Sequence, residues 1–178
     1  CALRGALQML LAEISLCEQS MRDSEEQLAR WHADDDIVHK LDEVSGIGLL
    51  TASALKTAVG KPERFASGRH LSAWLGMTPN EYSSGERRRL GCISCKGNTY
   101  VRTLLIHGAR AALLAAKRCQ TRTPERLTQL QRWALQTAER IGHNKAAVAL
   151  ANKLVRICWA VWCHERRFSG DWQSARPA

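Results

Sequence analysis

Along the first thirty residues the apolar side of the chain recurs at alternating spacings of four and three, through Leu3, Leu7, Leu10, Ile14, Cys17, Met21, Ser24, Leu28 and Trp31. That is the a/d seam of a coiled coil sustained over about four heptads, with Glu13, Glu18, Glu25, Glu26 and Arg30 outside it. A helix of this length reaches roughly 45 Å at 1.5 Å per residue. An amphipathic helix lying on its own domain has nearly the same period; the unbroken 3-4 alternation favours the coiled coil.

Beyond Asp34, Asp35 and Asp36 the pattern shortens. Three consecutive acids on a helix point about 100° apart and converge poorly on one ion, so an N-cap and first-turn role for a helix Asp36–Val44 suits them better than metal binding. That helix ends at Ser45, Gly46-Ile47-Gly48 makes a tight turn, and Leu49–Val59 is helical again, with Leu41, Val44, Ile47, Leu50, Ala54 and Leu55 available to pack the pair together. Two apolar-periodic helices joined by a GxG turn resemble the helix-hairpin-helix DNA-binding motif, in which glycines at positions such as Gly46 and Gly48 let backbone amides approach a phosphate. A plain helical hairpin with a C-cap glycine fits the same residues.

Lys61-Pro62 breaks the pattern, and Ser67–Leu75 predicts a further helix with Leu71, Trp74 and Leu75 inward. After a Gly/Pro/Ser-rich loop, Asn98 caps a helix to about Lys117, Thr123-Pro124 starts one over Pro124–Glu139, and Asn144–His164 forms the last. In that last helix apolar residues occupy almost every face, with Lys145, Asn152 and Arg156 on one stripe, as expected for the centre of a small helical domain. No segment shows convincing strand alternation, although a short hairpin fits inside 80–95. The expected class is all-α: a coiled-coil arm over 1–35, a helix-hairpin-helix-containing helical domain over 36–168 and a disordered tail over 169–178.

Charge adds a direction to this plan. Residues 1–45 carry four Lys/Arg and ten Asp/Glu, whereas residues 46–178 carry 22 and 7, a net +15. A body so basic points to a polyanion, duplex DNA or structured RNA. From Ser84 to Arg110 six cations (Arg87, Arg88, Arg89, Lys96, Arg102 and Arg110) face one acid, Glu86, and cations among hydroxyl-bearing residues suit a phosphodiester backbone. The bland alternative is a solvated basic loop. Seven cysteines without a signal-peptide pattern suggest reduced thiols and a cytoplasmic protein. Val148–Cys163 is interrupted by Asn152, Lys153 and Arg156, which argues against a membrane span. The start at a cysteine suggests a piece of a longer product.

Two features bear on chemistry. Cys92-x-x-Cys95 has zinc-knuckle spacing but lacks a second pair, since Cys158 and Cys163 point apart on a helix. Ser83-Ser84-Gly85 places hydroxyls just before three arginines. A serine attacking phosphorus needs cations around the pentavalent phosphate and a group to take its proton. Only the first is local, because His70 and His107 are remote in sequence; Tyr82 is a rival nucleophile, and an ordinary Ser-Gly turn is the default.

The run VSGIGLLTASALKTAVGKPERFASGRHLSAWLGMTPNEYSSGERRRLGCISCKGNTYVRTLLIHGARAAL, followed later by IGHNKAAVALANKLVRICWAVW, resembles the C-terminal domain of a bacterial insertion-sequence transposase group. This is the group with RuvC-like DEDD catalytic domains, related to the Piv invertase and guided by a bridge RNA. The resemblance covers about residues 38–163, and the acidic helix before it is similar to the coiled coil that joins the two domains there.

What the resemblance implies is DNA transposition and site-specific recombination. An N-terminal domain would supply four carboxylates that bind Mg²⁺, and this domain the serine that attacks the DNA phosphate. The group's Ser-Gly falls on Ser84-Gly85, making Ser84 the nucleophile and Ser83 its reserve. Its glycine hairpin falls on Gly46 and Gly48, and its Lys/Arg-Gly-Asn step on Lys96-Gly97-Asn98, ahead of Arg102. Cys95 stands where a further basic residue is usual, which leaves one phosphate contact in doubt. The carboxylate domain is not in the sequence, so this chain is expected to be inactive alone, as part of a longer reading frame or a degenerate element. Expected partners are DNA, a guide RNA and further copies through the coiled coil, with no cofactor in this chain and no membrane. The competing readings are a non-catalytic helix-hairpin-helix DNA-binding module and a coiled-coil assembly protein.

Overall fold

A computed structural model describes residues 2–85, 87 and 89–171, and the chain divides into two compact units between Asp35 and Asp36. The first is dominated by one helix, α1 (Ala2–Trp31). Within it the expected seam is open: Leu3, Leu7, Leu10, Ile14, Met21 and Trp31 are each more than half exposed. Hydrogen bonds among neighbouring polar side chains, such as Arg30 Nη2 to Glu26 Oε2 at 3.1 Å, run along the helix. The unit closes where His32 Nδ1 meets Asp35 Oδ2 at 3.3 Å, so Asp35 serves a local turn and Asp36 opens the next helix.

The second unit holds the core. Its helices are α2 (Asp36–Asp42), α3 (Leu49–Val59), α4 (Gly68–Trp74), α5 (Thr99–Arg122), α6 (Gln129–Ile141) and α7 (His143–His164), with 3-10 turns at Pro62–Arg64 and Pro124–Arg126. Strands β1 (Pro79–Glu81) and β2 (Leu90–Ile93) pair antiparallel, with Pro79 opposite Ile93 and Glu81 opposite Leu90 across a bulge. The class is therefore mainly α with one small two-stranded sheet, an amendment to the all-α expectation. The strand pair lies where the sequence allowed a hairpin, within 80–95 but for Pro79, and its short length explains why no alternation betrays it.

α7 is the hub. Leu150, Ala151, Leu154, Val155 and Cys158 are almost fully buried, and α4, α5 and α6 all pack on it. By length and composition α7 is long and apolar enough to cross a membrane, contrary to the expectation from its polar interruptions; its buried residues form the core shared with Val38, Leu41, Leu55, Leu71, Leu105 and Leu113. Burial also pushes the Cys158 thiol up to about 12, as for a thiolate kept from water.

Boundaries differ from the sequence reading where caps decide them. α6 begins at Gln129 rather than Pro124, because Thr128 and Gln131 form a reciprocal capping box and Pro124 opens a 3-10 turn instead. α5 runs five residues past Lys117, to Arg122. The tail expected to be disordered from Ser169 has its first residues engaged: Gly170 O accepts from Leu130 N at 3.1 Å and Asp171 Oδ1 from Gln129 N at 3.0 Å. Residues 172–178 lie outside the described residues.

Candidate nucleic-acid interface

The β-hairpin between α4 and α5 carries most of the residues singled out by charge and hydroxyl chemistry. Its root is a backbone crossing too close for side chains. A Cβ on Gly97 would run into the Trp74 carbonyl, and one on Gly76 into the Lys96 carbonyl, with φ of +118° and +71°. Only glycine fits such a contact at such angles. Cys95 N–H donates to Gly76 O at 3.2 Å and Ser94 N–H to Thr78 O at 2.8 Å. Asn152, from the middle of α7, donates Nδ2 to Met77 O at 2.9 Å and so fixes the hairpin to the core helix.

Three sequence-predicted residues meet at this root in roles of their own. Asn98 accepts Val101 N–H at 3.1 Å as the N-cap of α5. Arg102 is buried, 7% exposed, and donates to Leu75 O at 3.2 Å and Thr99 Oγ1 at 3.1 Å. A guanidinium placed so rivets α4 to α5; the phosphate contact expected of it is not what its geometry offers. Lys96 stays exposed.

The tip is different. Ser84 and Arg87 exchange two backbone hydrogen bonds, N–H to O at 3.2 and 3.1 Å, around Gly85, which faces open space. Ser83 Oγ donates to Glu81 Oε1 at 2.7 Å and accepts Arg89 N–H at 3.1 Å, so the Ser83 hydroxyl is a strut across the turn. Ser84 is exposed, and among the described residues no hydrogen bond engages its hydroxyl. Arg87 and Arg89 are exposed on the same turn; Arg88 lies outside the described residues. Tyr82 is 66% exposed, donates its N–H to Arg89 O at 2.8 Å and lays its ring against Gly91. The structure thus gathers Tyr82, Ser83, Ser84, Arg87 and Arg89 at one solvent-facing tip, with Lys96 at the root.

Gly46 and Gly48 sit elsewhere. A Cβ on Gly46 would meet Gly108 O at 2.9 Å and Ala112 Cβ at 3.0 Å, with φ at +93°, so the turn after α2 is pressed onto the middle of α5. Gly48 is the N-cap of α3, without a side-chain cap, and faces open space. Between α3 and the first turn of α5 lies an open groove of about 310 Å³, lined by Leu50, Ser53, Thr57, Asn98 and Tyr100 among others. Cys92 and Cys95 are free, exposed thiols, and no group of His, Cys, Asp or Glu among the described residues is arranged to hold a metal ion.

Of the stripe read on α7, Lys145 and Arg156 are exposed, while Asn152 serves the hairpin root. Lys153, not singled out in sequence, rests 4.1 Å from the centre of the Trp133 ring. Its pKa is lowered by burial and by Arg156 beside it. Gly76 was equally unannounced: nothing in a Leu-Gly-Met run signals that the carbonyl of a residue twenty positions on will press against it.

Residues 38–124 match the family described as Transposase IS116/IS110/IS902 family. The chain is 40% identical over 159 residues to a probable family 20 transposase of Pseudomonas aeruginosa, covering 89% of this chain and 45% of that protein. It is 34% identical over 166 residues to the transposase for insertion sequence element IS1111A of Coxiella burnetii, covering 93% and 44%. With the transposase for insertion sequence element IS1328 of Yersinia enterocolitica it shares 35% identity over 154 residues, covering 86% and 44%. The chain therefore spans less than half the length of these relatives.

Proposed function

We propose, from the match of residues 38–124 to the Transposase IS116/IS110/IS902 family, that this chain is the DNA-binding, serine-bearing portion of an insertion-sequence transposase. The observation that carries the reading is the hairpin tip, where an unengaged, exposed Ser84 hydroxyl stands beside Arg87 and Arg89 on a turn whose root is rigidly held. In the proposed reaction Ser84 Oγ bonds to phosphorus while a phosphorus–oxygen bond of the DNA backbone breaks. The hydroxyl proton passes to a carboxylate of the parent protein, and the departing deoxyribose oxygen takes up a proton from water. Arg87 and Arg89 balance charge on the phosphate. Carboxylates able to bind Mg²⁺ are assigned to another domain of the parent protein, in keeping with the chain's share of its relatives' length. A guide RNA, and assembly of copies through the open seam of α1, belong to the same proposal.

A helix-hairpin-helix role for α2–α3 is retained in part: Gly48, open at the head of α3, is free to approach a phosphate, whereas Gly46 is occupied by α5. A second reading is favoured by one contact. Ser83 already donates to the Glu81 carboxylate, as a nucleophile does to its base, and would then replace Ser84.

In the full-length parent, Ser84→Ala should abolish strand exchange while DNA binding stays within about twofold, because a small exposed hydroxyl adds little to a surface that binds by charge. The trapped DNA–peptide adduct should contain Ser84. An adduct at Ser83 or Tyr82 would move the nucleophile, and full recombination by the Ala variant would leave a non-catalytic DNA-binding module.

A further inference from the structure

We infer that the solvent face of α5 is a second DNA-backbone contact, set one turn of B-form duplex away from the hairpin. The inference rests on the DNA-binding reading above and adds a surface that reading does not use. From Arg110 to Arg132 the chain carries six cations against one acid, Glu125, the same ratio as the hairpin stretch. Arg110, Lys117, Arg118, Arg122, Arg126 and Arg132 are all exposed, and no ion pair among the described residues engages any of them.

Thr103, His107, Arg110, Leu114, Lys117 and Thr121, spaced by four and three, are all exposed, so a solvent stripe that carries Arg110 and Lys117 runs along the helix, and Arg118 and Arg122 continue its edge at steps of four from Leu114. The opposite positions, Val101, Leu105, Ala109, Leu113 and Ala116, are buried. α5 begins beside the hairpin root at its cap Asn98 and ends where the 3-10 turn Pro124–Arg126 packs on it. Its 24 residues measure about 36 Å, close to the pitch of B-form DNA, about 34–36 Å per turn. A duplex lying along α5 with one phosphate stretch at the hairpin would bring the same side of its backbone back to the far cluster.

Helix electrostatics explain only part of this cluster. Arg122 in the last turn of α5 is favoured by the carbonyl end of the helix, but Arg132 in the first turn of α6 is opposed by the amide end. Like charges kept together against that cost are what a polyanion site requires.

The test uses the full chain, binding by fluorescence anisotropy over a range of salt, and two duplex DNAs of about 24 and 10 base pairs, above and below the one-turn spacing. Circular dichroism confirms that each variant is folded. Arg118→Ala/Arg122→Ala/Arg126→Ala should bind the long duplex at least about tenfold more weakly, and the slope of log affinity against log salt should flatten by about 2–3. Hydroxyl-radical protection should shorten by about one turn at one end. On the short duplex, variant and wild type should agree within about twofold, and Lys at the three positions should restore long-duplex binding because the contacts are point charges. An unchanged slope on the long duplex overturns the proposal, as does an equal loss on both lengths, or on a double-stranded RNA of the same length. If Arg87→Ala/Arg89→Ala leaves binding to both duplexes intact while the triple variant loses the long one, the hairpin reading fails and the α5 contact stands.

Discussion

At the root of the hairpin, Gly76, Gly97, Arg102 and Asn152 commit their conformations or their donors to the backbone of the same domain. At the tip, a few residues away, Tyr82, Ser84, Arg87 and Arg89 face solvent, and the Ser83 hydroxyl donates to Glu81 across the turn. Both regions are polar and glycine-containing, and both looked alike as candidates for a phosphate site. They differ in what surrounds the polar group. A buried guanidinium must satisfy its donors within the protein, so Arg102 becomes structural, whereas an arginine on an open turn keeps its charge for a ligand. A group placed within about an ångström of its target gains reactivity only if its support is stiff, and the root supplies that support to the tip.

The contrast breaks most readily at Gly97. Ala there meets the Trp74 carbonyl and must hold φ near +118°, so Gly97→Ala should cost about 3 kcal/mol, a fall in Tm of about 6–12 °C for a domain of this size. Thermal melts followed by circular dichroism measure it. A melt unchanged within a degree or so would show that the crossing is not tight, and the tip would lose its rigid base. Arg102→Ala comes next, at about 2–3 kcal/mol, because Leu75 O and Thr99 Oγ1 each lose a donor and the buried stem leaves a gap. Were Arg102 a phosphate ligand instead, the same variant would melt like wild type and bind DNA less well.

How far the sequence led can be judged from these residues. Helical periodicity placed the helices of the body, and the Asn98 cap is where its residue type put it, since both are local effects. The resemblance pointed to transposases, as does the family whose model matches residues 38–124. Charge marked this loop as a whole but could not divide it, because Arg102 and Arg87 are identical until packing sets one against Leu75 and leaves the other in water. Gly46 was read as an approach to phosphate, and the partner it approaches is Gly108, sixty-two residues on. Contacts of that range leave no trace in spacing. Asn152 shows the reverse error: grouped with cations by helical angle, it is the side chain that ties the hairpin to the core.

The smallest effect on stability belongs to the tip, and there the comparison can be made sharpest. Arg87→Ala/Arg89→Ala should leave unfolding within about 0.5 kcal/mol of wild type, because both side chains are exposed and neither forms an ion pair among the described residues. The backbone bonds at the turn, Arg87 with Ser84 and Arg89 N–H to Ser83 Oγ, do not depend on the guanidinium groups and survive the change. Binding should respond in the opposite sense: two lost phosphate contacts flatten the salt dependence of log affinity by about 1.8. The loss should be the same for unrelated duplex sequences, since phosphate contacts carry no base information. A variant that melts early would place these arginines among the structural residues of the root. One that melts normally and binds with the wild-type salt dependence would remove the tip from the proposed DNA interface, leaving the proposed Ser84 nucleophile without neighbouring cations.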